Sequence, residues 1–207
     1  MAARKETEIA VSIPLHKIRR IEIYQNTKKL RLSTIMSETG AAYAINGTLY
    51  NMKTGKPVCP LRADGKTLFG GSYTYYGYSW DNVDPSSFGL DRVPDKQWDN
   101  YIACSCVLKD SEALKRPIYN VAQGGKRGRT AIGTKKVNGE DRLCLYVSKD
   151  GSSAKRTPEQ LGALLKSYGW RDAVMLDCGT SSQGYFDKEK RQVYSGRRCA
   201  HYILIYM

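Results

Sequence analysis

The run TAIGTKKVNGEDRLCLYVSK at 130–149 sets Asn138-Gly139 between two strand-like segments, TAIGTKKV and RLCLYVSK. Both turn residues tolerate positive φ, which a tight hairpin turn requires, so the pattern predicts two antiparallel strands. Further strands are predicted in IRRIEIYQ (18–25), AAYAINGTLYN (41–51), YIACSCVLK (101–109), DAVMLDCG (172–179) and the terminal AHYILIYM (200–207). A short helix is expected up to Glu38, stopped by Gly40. Thr157-Pro158-Glu159-Gln160 combines an N-cap, a proline at the first helical position and a Gln that closes a capping box. Leu161, Leu164, Leu165 and Tyr168 mark one face of that helix, and Gly169 ends it. At least six strands and two helices, joined mostly by hairpins, predict an α+β fold: one domain over 18–207 with a curved, mixed, largely antiparallel β-sheet and a few flanking helices. Residues 1–17 are set apart as an N-terminal extension.

With 207 residues the chain suits one domain, and 41% hydrophobic with 26% charged residues is enough for a packed core. The net charge of +13 draws the protein towards polyanions or a phosphorylated substrate. Its Lys and Arg residues are scattered, with clusters at 17–20, 28–31, 126–129 and 197–198, which reads as a solvated basic surface more than a nucleic-acid arm. The N-terminus lacks the apolar core of a secretory signal and no stretch is long enough to span a membrane, so a cytoplasmic protein without membrane attachment is expected. The six cysteines sit mostly in apolar runs, as reduced core thiols do. Cys104-Ser105-Cys106 has no second pair at ligand spacing, and neither a metal nor a cofactor is expected.

The stretch LDCGTSSQGYF at 176–186 delivers Asp177, Gly179, Thr180, Ser181 and Ser182 to the end of an apolar strand. A second helix-then-strand unit ends on Asn46, and ligand sites favour such strand ends. QGGKRGRTAIG at 123–133 is not a Walker A loop, because Lys and a hydroxyl do not follow Gly128. It leaves Arg129 at a strand start, where a planar guanidinium can hold an oxyanion. On strand alternation, Asp177 facing a site turns Cys178 to the core, which argues against thiol catalysis. A serine triad lacks its G-x-S-x-G elbow. The segment 62–100 reads as irregular strands with a long loop, whose Tyr73, Tyr75, Tyr76, Tyr78 and Trp80 either stack on sugar or base rings or form one aromatic face on the core.

Four elements in order, YAINGTLYN, RTAIG, LDCGTSS and GRRCAHYILIY, resemble the N-G-G-[FY]-F, R-T-A-[IV]-G, D-G-G-G-S-S and R-P-V-x-N-[AL] elements of the phosphodiester glycosidase family, over residues 18 to 207. The resemblance implies catalytic roles for Asp177, Arg129, Asn46 and Arg198, with Arg197 one step away as the alternative to Arg198. It also implies substrate contacts from Thr130, Gly179, Thr180, Ser181 and Ser182, to which the aromatic segment adds Tyr76. Thr48 and Cys178 stand where the family has glycines, and the last element lacks its proline and asparagine. In the implied reaction the two arginines hold the departing phosphate, and Asp177 acts as base, nucleophile or stabiliser of an oxocarbenium-like centre. A second carboxylate is not evident; Asp141, Asp172 and Asp187 are the candidates, each read as a surface residue.

The expected function is therefore hydrolysis of a sugar-1-phosphodiester, by a protein of bacterial or phage type. The alternative is a binding protein on the same scaffold that sequesters a phosphorylated nucleotide or glycan. Either takes an anionic phosphodiester-containing small molecule or glycan as partner; nucleic acid rests on charge alone and predicts steeply salt-dependent binding.

Overall fold

The computed structural model describes residues 3–71, 75–91 and 98–207. Tyr73 of the aromatic segment lies outside the described residues. In chain order the strands are β1 (Arg4–Lys5), β2 (Glu8–Pro14), β3 (Arg20–Gln25), β4 (Tyr43–Asn46), β5 (Leu61–Ala63), β6 (Lys66–Phe69), β7 (Tyr76–Trp80), β8 (Gly89–Asp91), β9 (Asn100–Lys109), β10 (Glu112–Ala113), β11 (Thr130–Val137), β12 (Glu140–Ser148), β13 (Asp172–Met175), β14 (Gly184–Phe186), β15 (Arg191–Val193) and β16 (His201–Tyr206). Two α-helices, α1 (Leu32–Thr39) and α2 (Pro158–Ser167), complete the frame. The molecule is mostly β.

The strands form two sheets where the sequence suggested one. The smaller runs β1-β15-β14-β4-β16-β3 and the larger β2-β12-β11-β13-β9-β5-β6, with β7 and β10 also on β9 and β8 on β7. Among the described residues every strand pairing is antiparallel except β1 with β15. Period-two alternation explains why there are two sheets. Ile203 and Ile205 of β16 meet Leu143, Leu145 and Val147 of β12 in the central core between the sheets. The alternate residues face outwards: Tyr202 and Leu204 pack under α1 with Ile35 and Met36, while Cys144 and Tyr146 pack under α2 with Leu161 and Leu165. Apolar residues on both faces of the same strands thus require four layers, helix, sheet, sheet, helix.

Residues 1–17, set apart in the sequence, supply β2, which pairs with β12 from Glu8–Ser148 to Pro14–Arg142. The hairpin forms as expected, with Asn138 at φ 50° and Gly139 at φ 83° between β11 and β12. The Thr157–Gln160 capping box is present at α2, and Gly40 ends α1 in the left-handed region. Tyr168 departs from the expected helix face: it is exposed, and Trp170 fills the core beside Leu165.

Candidate active site

Asn46 joins the two sheets. Its side-chain amide donates to the Asp177 carbonyl at 2.9 Å, and its Oδ1 accepts from the Thr130 hydroxyl at 2.6 Å and the Gln183 N–H at 3.1 Å. Backbone bonds complete the junction, Asp177 N–H to Gly47 O and Leu176 N–H to Thr130 O. The two strand ends marked in the sequence are therefore brought together. Asn46 and Thr130 are fully buried and bonded to protein, so they position this junction and do not face a ligand.

Arg129 is also placed differently from the sequence expectation. It is 0% exposed, and its Nε, Nη1 and Nη2 donate to the carbonyls of Arg156, Gln123 and Gly125 at 2.7, 2.7 and 2.5 Å. Burial, the largest influence, lowers its pKa below the ordinary arginine range. Three loop carbonyls, of which that of Arg156 also accepts the Arg127 N–H, take up the guanidinium fork, which clamps the loops around the site and is not presented to a phosphate.

An open cleft of about 490 Å³ lies beside the junction. Gly179, Thr180 and Ser182 line one wall, Lys149 and Asp150 a second, and Tyr194 to Arg197 a third. The Arg197 guanidinium donates to Thr180 Oγ1 at 2.5 Å, and the Ser195 hydroxyl donates to the Thr180 carbonyl, which fastens the third wall to the first. Arg198, the better match in sequence, is exposed and outside the cleft; of the two arginines it is Arg197 that the irregular 196–199 segment turns inward.

Asp177 sits at the junction just before the Gly179–Ser182 wall, 9% exposed, and is not itself among the residues that line the cleft. Its Oδ1 accepts the Cys178 N–H at 2.8 Å. Burial raises its pKa to about 6 against the opposing hydrogen bonds of Ser181 and Cys178 and the charge of Arg197. Cys178, expected in the core, is only half-buried, because β13 ends at Met175 and alternation does not extend into the bend that follows. Burial pushes its thiol up to about 12, far from a thiolate nucleophile. Ser182 Oγ and His201 Nδ1 are buried without a hydrogen-bond partner among the described residues, and Ser182 lines the cleft. The Tyr50 ring meets His201 edge-on at 6.0 Å. Burial lowers the His201 pKa to about 4, so the imidazole is neutral.

Other predicted residues lie elsewhere. Tyr76 packs against the central core on the face of β7 that buries Tyr78 and Trp80, so these three form an aromatic face on the core. Asp172 is buried beside Arg171 and the Asp110 N–H, whereas Asp141 and Asp187 pair with Lys136 and Lys190 at the surface. None of the three lines the cleft. Sequence reasoning missed Lys149, Asp150, Tyr194 and Ser195. The register of the hairpin held a signal for the first two, since it sets the end of β12 beside Arg129. Among the described residues no group of three or more His, Cys, Asp or Glu side chains could hold a metal ion, and no helix is long and apolar enough to cross a membrane.

A family model for phosphodiester glycosidases matches residues 39–206. The chain belongs to the phosphodiester glycosidase family. As a phosphodiester glycosidase relative it superposes on the catalytic domain of zebrafish N-acetylglucosamine-1-phosphodiester α-N-acetylglucosaminidase, autoinhibited by its pro-peptide, with a TM-score of 0.68 and 14% identity over 100% of this chain and 87% of that one. A Synechocystis protein gives a TM-score of 0.77 and 11% identity over 96% of this chain and 58% of that one. No curated protein sequence matches it. The family match covers Asn46, Asp150, Asp177 and Arg197 and begins after β1 to β3, which nonetheless pair into both sheets.

Proposed function

We propose that the protein hydrolyses the glycosidic bond of a sugar-1-phosphodiester in the cleft beside Asp177. The observation that carries this reading is the Asp177 carboxyl, nine-tenths buried at the sheet junction with its pKa raised to about 6. A carboxyl with its pKa at about 6 carries its proton below that pH and in a minority of molecules at neutrality, and can give it to the oxygen that leaves the anomeric carbon. Arg197 on the cleft wall supplies the positive charge for the phosphate, the role first read into Arg129 and Arg198. A phosphate monoester is a good leaving group, so neutralising its charge accounts for more of the catalysis than proton donation does. Tyr194 offers a partly exposed ring to the sugar or to the group beyond the phosphate.

The purified chain, incubated with a panel of sugar-1-phosphodiesters that includes UDP-N-acetylglucosamine, is expected to release free sugar and a phosphate monoester, or UDP from UDP-N-acetylglucosamine, followed by mass spectrometry. Asp177→Asn should lower kcat by about 10²-fold. Absence of turnover on the whole panel would reject the hydrolase, and intact ligand recovered from a tight complex would replace it with sequestration of a phosphorylated nucleotide or glycan.

A further inference from the structure

The hydrolase reading leaves one chemical task without a residue: deprotonation of the attacking water on the far side of the sugar from the leaving phosphate. We propose that Asp150 is the second carboxylate of the reaction and takes that proton.

Asp150 follows β12 in the turn closed by Gly151 at φ 73°, and it lines the cleft together with Thr180 and Ser182. One oxygen is fixed, because Oδ1 accepts the Gly128 N–H at 2.8 Å. The other, Oδ2, has no hydrogen bond among the described residues; it lies 3.9 Å from where a side chain at Gly179 would begin, as do Arg127 Cδ and Nη1, and Gly179, at φ +66°, has no side chain to cover it. Glycine at 128 serves the same arrangement, since a Cβ there would stand 2.4 Å from the Asp150 nitrogen and drive the turn away. Gly179 N–H in turn donates to the Gly128 carbonyl at 2.9 Å. The turn that carries Asp150 and the bend that carries Asp177 are thus built on one shared strut. Ser182 Oγ, 1% exposed and without a partner, lines the same cleft and marks it as shaped for a polar ligand.

The step balances with water as the only co-reactant. The water oxygen bonds to the anomeric carbon as the carbon–oxygen bond to phosphate breaks. The bonding pair leaves with the phosphate monoester, to which Asp177 gives its proton, and the proton from water passes to Asp150. The sugar is released as a hemiacetal of inverted configuration.

The proposal rests on the hydrolase reading, and the test separates the two. With UDP-N-acetylglucosamine as the probe, Asp150→Asn keeps the acceptor for the Gly128 N–H and should fold with an unchanged Tm. Its kcat should fall by about 10²- to 10³-fold. Azide, which attacks without losing a proton, should restore turnover to Asp150→Asn and not to Asp177→Asn, and nuclear magnetic resonance of the fresh product should show inversion. Wild-type turnover that is lost in Asp177→Asn and kept in Asp150→Asn overturns the proposal alone, as does retention of configuration or a loss that azide leaves unchanged. No wild-type turnover overturns the hydrolase reading and the proposal with it.

Discussion

Asp177 and His201 lie at the same junction and carry opposite pH signatures. Asp177 binds its proton more tightly in the fold than in the open chain, so it makes stability fall as pH rises from the ordinary aspartate value of 3.8 to about 6. His201 is held neutral, so the unfolded chain binds the extra proton and stability rises with pH between about 4 and 6.5. Each effect is worth about 3 kcal/mol, and they nearly cancel in the wild type. Asp177→Asn should expose a Tm that climbs between pH 4 and 6.5, and His201→Asn one that declines between pH 4 and 6. Parallel pH profiles in the two variants would contradict the buried, oppositely titrating pair. Arg129→Lys leaves loop carbonyls without donors and should cost about 2 to 4 kcal/mol, read by urea denaturation. The ligand spectrum of whatever remains folded should not change. At this scale the sequence marked residues that the fold brings to one junction, and it did not show which of them are buried against protein. A strand-start arginine near a glycine-rich loop looks alike whether it holds a phosphate or three carbonyls, because what it bonds to comes from residues 123, 125 and 156 folding over it.

The elements were more legible than the contacts between them. Cap, proline, turn glycine and alternation are local signals, and α2, Gly40 and the Asn138-Gly139 hairpin follow from them. Two sheets, where one was expected, and the inclusion of β2 depend on which strands face one another, and that is decided by packing. α2 shows how close the packing is. A Cβ at Gly162 would lie 2.4 Å from the Val107 carbonyl, so the helix rests on β9 through a residue with no side chain. Alanine is the better helix former by about 1 kcal/mol, yet Gly162→Ala should destabilise by about 1 to 3 kcal/mol through that clash. A rise in Tm would show that the helix can lift off the sheet at little cost.

Over the whole molecule, the bonds that build the site cross long stretches of chain. Asn46 reaches 131 residues to the Asp177 carbonyl and 137 to Gln183, and Thr130 reaches 84 to Asn46. The hairpin of β11 and β12, in contrast, closes over a two-residue turn. Closing the long loops is the slow part of folding such a chain, so the junction should be among the last features to form. In refolding from urea, the far-ultraviolet signal of the strands should recover before ligand binding does. Simultaneous recovery would mean that the junction forms with the first structure. The basic surface makes a related statement about partners: binding to a single sugar phosphodiester should respond to salt far less than binding to a polynucleotide, whose affinity would fall steeply. Since the cleft is lined by segments that follow β12 and β13 of one sheet and β15 of the other, the molecule has an assembly check. A chain that has made its sheets without aligning them has its helices, its cores and its charge, and no place to hold a substrate.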